Sequence, residues 1–190
     1  MFRLTLLGEI LEFNEKFVEE QQYEKYKTDK FPDKKMAVIS CMDTRLVELL
    51  PKAMNLKNGD IKHIKTAGAV VSHPFGSAMR SILVAIHELK AQEVFVVGHY
   101  DCGMSSINAD AMIEKMISRG ISNETIKTME HSGIDLKSWL RGFNDVSESV
   151  NNSVSIIKNH PLIPKDIAVH GLVISPETGK LDTVVNGYES

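Results

Sequence analysis

Apolar positions recur along this chain with two distinct periods. Leu7, Ile10, Leu11, Phe17 and Val18 fall at helical spacing among charged neighbours, which predicts an amphipathic helix over the first two dozen residues, ending near Lys27–Lys30. Phe31-Pro32-Asp33 then marks a turn, and Met36–Ser40 is a short, almost wholly apolar run of the kind buried on both faces of a sheet. Leu46–Met54 reads as a short helix that tolerates Pro51, and Ile61–Thr66 as a second strand. Met79, Ile82, Leu83, Ile86 and Leu89 give a helix from Ser77, and Glu93–Gly98 gives a third strand. Residues 105–160 are helical by pattern, broken at Gly120 and Gly133, with Val146, Val150, Val154 and Ile157 on the last face. Ala168–Ile174 follows as a fourth strand, with Leu181–Val185 as a hairpin return.

Strands alternating with helices predict an α/β fold. We expect a mostly parallel four-stranded sheet with an antiparallel C-terminal strand, flanked by helices. The expected organisation is one domain over 1–190, with a helical arm at 1–30 and a core at 34–190. The arm's apolar face requires a partner surface.

Composition narrows the function. The chain has 190 residues, 43% of them hydrophobic and 25% charged, as in ordinary globular proteins. Its net charge is −3 with no basic block, so nucleic acid is not an expected partner. No apolar run approaches the roughly 20 residues of a membrane helix, so no membrane partner is expected either. Glu9 and Glu12 interrupt the N-terminal apolar segment and no cleavage pattern follows, so the expected location is cytoplasmic. Two cysteines, Cys41 and Cys102, are too few for a disulfide scaffold.

Both cysteines follow predicted strands, where ligands bind in open parallel sheets. Cys41 leaves the first strand, and His99 and Cys102 leave the third. If those strands are neighbours, two thiolates and an imidazole converge, a donor set that suits zinc and leaves a fourth position free. Buried apolar cysteines are the alternative from spacing alone. Asp43 and Arg45 alternate with Cys41, so an extended exit from the strand would put all three side chains on one side. A surface ion pair at a helix start is the plainer reading of those two residues. Met36, Met42, Met54 and Met79 are expected to fill core gaps. His63, His73, His87, His131, His160 and His170 lack a second ligand at chelating spacing.

Cys41-x-Asp43-x-Arg45, then Ala67-Gly68-Ala69, then His99-Tyr100-Asp101-Cys102-Gly103-Met104 resemble, in order and placement, the signature of the β-class carbonic anhydrases. The similarity runs from about Lys34 to Val185. It implies zinc held by Cys41, His99 and Cys102, an Asp43–Arg45 catalytic dyad, and Gly103 beside the substrate. Ala67, Gly68, Ala69 and Val70 would then give a small dry substrate pocket, with tight strand-to-helix packing as the alternative reading. The implied reaction is reversible hydration of carbon dioxide to bicarbonate by a zinc-bound hydroxide. Asp43 would be a fourth zinc ligand in a closed state favoured at lower pH. The resemblance also implies a homodimer whose N-terminal helix packs on the partner subunit; whether such dimers pair into a tetramer stays open. Lys65-Thr66 stands where many members have Arg-Asn. Hydrolysis of carbonyl sulfide or carbon disulfide, or a non-catalytic zinc or thiol-sensing module, are the competing functions.

Overall fold

The structure, a computed structural model, describes residues 5–189, so the first four residues of the expected N-terminal helix lie outside the described residues. The chain falls into two compact units, Met1–Lys30 and Phe31–Ser190. In the first, helix α1 spans Leu6–Glu19, and the Thr5 hydroxyl caps it by accepting from the Gly8 N–H at 3.2 Å. The helix ends sooner than its apolar spacing predicts because Gln21 adopts a left-handed conformation, φ 53°. A single 3-10 turn at Glu24–Tyr26 follows, and Tyr26 stacks on Phe17 with ring centroids 6.4 Å apart. No residue of α1 is buried, and Leu6, Leu7, Ile10, Leu11, Phe13 and Val18 are each more than half exposed.

In the second unit, five strands form one sheet in the order β2-β1-β3-β4-β5. They are β1 (Met36–Cys41), β2 (Ile61–Thr66), β3 (Glu93–His99), β4 (Ala168–Ile174) and β5 (Leu181–Val185), all parallel neighbours except the antiparallel β4–β5 pair. The expected sheet is the observed one. Every residue of β1 is buried, as its apolar run requires of a strand covered on both faces.

Helices α2 (Leu46–Ala53), α3 (Ser77–His87) and α7 (Val146–Lys158) cover the sheet. Ala37, Ile39, Val94 and Val96 share one core cluster with Met79 and Ile82 of α3 and Val150 and Val154 of α7. Val38, Val97 and Ile174 share another with Leu46 and Leu50 of α2. The α7 helix lies so close to the sheet that a Cβ at Gly98 would stand 2.8 Å from methyls of Val146 and Val150.

Between β3 and α7 the expected helical stretch resolves into α4 (Ala109–Ser118), α5 (Asn123–His131) and α6 (Leu136–Leu140). Gly120 and Gly133 break it where expected, both at positive φ. A third break at 141–145 was not expected. It ends at Asp145, whose carboxylate accepts from the Glu148 N–H at 2.8 Å and starts α7 afresh. Ile113, Ile126 and Leu136 give these three helices a small core of their own.

Candidate metal centre

Strand order reverses between β1 and β3, because β2 lies on one side of β1 and β3 on the other. Crevices at such reversals, beyond the carboxyl ends of the strands, are where open α/β sheets take ligands. Cys41 is the last residue of β1 and His99 the last of β3. Cys102 follows three residues on, just before a 3-10 turn at Gly103–Ser106. The Cys41 Sγ, Cys102 Sγ and a His99 ring nitrogen all lie within 4.8 Å of one another, and all three residues are buried. The sulfurs are 3.9 Å apart. Two metal–sulfur bonds of about 2.3 Å at a tetrahedral angle would put them roughly 3.8 Å apart.

His99 fixes the third donor. Its Nδ1 lies 2.8 Å from the Tyr100 carbonyl and donates to it, which leaves the Nε2 lone pair facing the sulfurs. That Nε2 is fully buried and has no hydrogen-bond partner. A buried polar atom in this state is costly unless something occupies the space before it. The group is thus able to hold a metal ion.

Its protons are unevenly held. Burial pushes the Cys41 thiol up, but the nearby His99 ring and the backbone N–H groups of Asp43 and Gly68 outweigh it and bring the thiol down to about 7. The Gly68 N–H is 3.3 Å from that sulfur. Burial pushes Cys102 up to about 11, with the negative Cys41 sulfur adding to the shift. Burial lowers His99, yet the Cys41 sulfur and the Tyr100 carbonyl favour its charged form more, and the net direction is upward.

Asp43 and Arg45 stand beside the three donors, by a route other than the expected one. The chain does not stay extended after Cys41. It turns at once into α2, with Arg45 already at helical angles, and the Asp43 Oδ1 accepts from the Arg45 N–H at 2.9 Å. The two side chains still meet as a bidentate pair, Arg45 Nε to Oδ1 at 3.0 Å and NH2 to Oδ2 at 2.9 Å. The hydrogen bonds from Arg45 hold the Asp43 carboxyl down at about 2, well below the usual range, and raise the guanidinium in turn. Asp43 Oδ2 lies 3.8 Å from His99 Nε2, so the carboxylate borders the space the three donors enclose. Arg45 also reaches Asp101, donating from NH1 to Oδ2 at 2.8 Å and from NH2 to the backbone carbonyl at 2.9 Å.

Cys41 and Cys102 open into a cavity of about 420 Å³ bordered by Met42, Ala67, Gly68, Gly103, Met104 and Ile107. Gly68 sits at φ +70°, and a Cβ there would come within 2.9 Å of Phe143 and Met104 side-chain atoms. Gly103 has open space where its Cβ would be. Ala69, expected in the pocket, is instead buried: two successive positive-φ residues turn it inward. Met42 is no core filler either, since it follows the end of β1 and is 64% exposed at the cavity. No other histidine joins the three-donor group among the described residues; His63, for one, pairs with the Ser40 hydroxyl at 2.7 Å. The residue pattern alone gave no role to Asp101, Met104 or Ile107. Asp101 and Met104 stood inside the His99–Met104 motif without a role of their own, and Ile107 lies three residues beyond it.

Fold and site together define an α/β protein with a Cys-His-Cys group able to hold a metal ion at a sheet switch point. The family model described as carbonic anhydrase matches residues 36–181. The chain belongs to the β-carbonic anhydrase family. It is 62% identical over 187 residues to the Bacillus subtilis protein named "Putative carbonic anhydrase YtiB", covering 98% of this chain and 100% of that one. A crystal structure of the β-carbonic anhydrase isoform I of Trichomonas vaginalis superposes with a TM-score of 0.86 at 36% identity, covering 97% of this chain and 100% of that one. A carbon disulfide hydrolase of Acidithiobacillus thiooxidans is 30% identical over 173 residues, covering 84% of this chain and 77% of that one.

Proposed function

We propose that this chain is a zinc enzyme that reversibly hydrates carbon dioxide to bicarbonate and a proton. The convergence of Cys41, His99 and Cys102 beside an Asp43 carboxylate already clamped by Arg45 carries this reading. Two thiolates and one imidazole fit zinc better than harder cations. Bound there, zinc would supply acidification of water, whose pKa falls from 15.7 to about 7 in the best-known zinc site.

The chain's own residues supply the rest. Asp43, held near 2, is ionised at neutral pH and can only accept hydrogen bonds. It is therefore suited to accept one from the attacking water and aim its lone pair at carbon. Arg45, bonded to both carboxylate oxygens, holds Asp43 in place at the border of the space the three donors enclose. Met42, Met104 and Ile107 give a linear apolar substrate a wall that needs no polar desolvation.

Exposure of most of the apolar face of α1, with Leu7, Ile10, Leu11 and Val18 each more than half exposed, supports a homodimer in which that helix lies on the partner subunit. Among the described residues no helix is long and apolar enough to cross a membrane. A site built on two free thiols suits the reducing cytoplasm.

Stopped-flow hydration of carbon dioxide by wild type and Asp43→Ala, with zinc content measured alongside, tests the reading. We expect a loss of about 100-fold or more in kcat for Asp43→Ala at unchanged zinc content. Equal turnover in both would remove Asp43 from the mechanism. The named carbon disulfide hydrolase among its relatives makes a sulfur substrate the competing reading. Turnover of carbonyl sulfide or carbon disulfide in place of carbon dioxide would favour it. Metal-dependent stability without any turnover would leave a zinc or thiol-sensing module.

A further inference from the structure

A guanidinium offers five N–H donors in one rigid plane. Asp43 occupies one edge of Arg45, at Nε and NH2, and Asp101 takes the other, with its carboxylate on NH1 and its backbone carbonyl on NH2. The two grips come from different strand exits. Asp43 follows β1, and Asp101 lies in the turn after β3, between His99 and Cys102. Asp101 can turn its carbonyl and its side chain toward Arg45 together because its backbone is left-handed, φ 51°, a conformation aspartate tolerates better than most residues.

The Asp101 side chain is 85% exposed and that of Arg45 41%, so their ion pair adds little to folding stability. What it constrains is position. Held by Asp43 alone, Arg45 could swing together with that carboxylate. Held from the far edge as well, it is fixed to the turn that carries two of the three donors.

The geometry points to Asp101 as a positioning residue: it anchors Arg45 to the His99–Cys102 turn and thereby keeps the Asp43 carboxylate oriented beside the metal-binding group. The catalytic half of this inference rests on the hydration reading above. The anchoring half does not.

Asp101→Gly removes the carboxylate while keeping the backbone angle and the carbonyl. Asp101→Asn keeps an acceptor and removes only the charge. On the zinc-loaded full chain, three quantities separate the outcomes: zinc per chain, kcat and KM for carbon dioxide, and solvent exchange of the Arg45 Nε–H by nitrogen-15 NMR. Misplacing a catalytic group by about 1 Å can cost roughly 100-fold; with Asp43 still holding one edge, we expect Asp101→Gly to lose about 10-fold in kcat. KM and zinc content should be unchanged, and Nε–H exchange should be about 10-fold faster. Asp101→Asn should recover most of both losses. Unchanged Nε–H exchange in Asp101→Gly overturns the anchoring, and unchanged kcat overturns its catalytic consequence. Loss of zinc from Asp101→Gly would overturn the proposal too, by making Asp101 a support of the ligand turn. Should the wild-type chain hydrate no carbon dioxide, the hydration reading fails by itself, and Nε–H exchange alone decides whether Asp101 anchors Arg45.

Discussion

Two sulfurs 3.9 Å apart hold their protons very differently, Cys41 at about 7 and Cys102 at about 11. A divalent metal needs both as thiolates and His99 neutral, so metal affinity must rise with pH. Between pH 8 and 10 uptake should displace about one proton, from Cys102; below pH 7 Cys41 adds a second, and His99, shifted upward, contributes a further one. Calorimetric zinc titrations in buffers of different ionisation enthalpy would count these protons, and a count that does not grow on acidification contradicts the assignment. Much of this chemistry was legible in the sequence, since strand-end cysteines and a histidine need only adjacent strands to meet. The approach of Asp43 to Arg45 was legible as a pairing but not as a shape. Alternation along an extended strand suggested it, whereas a tight turn into α2 delivers it. Ala69 misled for a related reason, because two left-handed residues in succession leave no mark in the residue pattern.

Apolar runs marked the strands well because burial on both faces leaves no room for polar residues, and β1 is the clear case. The helices between β3 and α7 were harder. Gly120 and Gly133 announced two breaks; the third, at 141–145, was marked only by Gly142 and by the Asp145-x-x-Glu148 cap that restarts the helix. The contact that joins α7 to the sheet under the site rests on Gly98, next to His99. Gly98→Ala would push a Cβ to within 2.8 Å of Val146 and Val150 methyls. Overpacking of this kind costs about 1–3 kcal/mol, and chemical denaturation of the zinc-free protein should show it as a lower midpoint. An unchanged midpoint would mean that α7 yields freely and does not brace the end of β3.

At the scale of the whole molecule, composition excluded much and chose little, and the exposed face of α1 is the feature it could not place. If a second copy covers that face, sedimentation should find wild type at twice the chain mass and an Ile10→Glu variant at the single-chain mass. An undiminished dimer in that variant would move the interface elsewhere. The most direct test of the account lies at its smallest object. X-ray absorption at the zinc edge, on the zinc-loaded full chain, should find one ion with two sulfur neighbours at about 2.3 Å and a nitrogen at about 2.0–2.1 Å. A shell of oxygen and nitrogen alone, or the same shell retained when Cys41 and Cys102 are both replaced by serine, would contradict it.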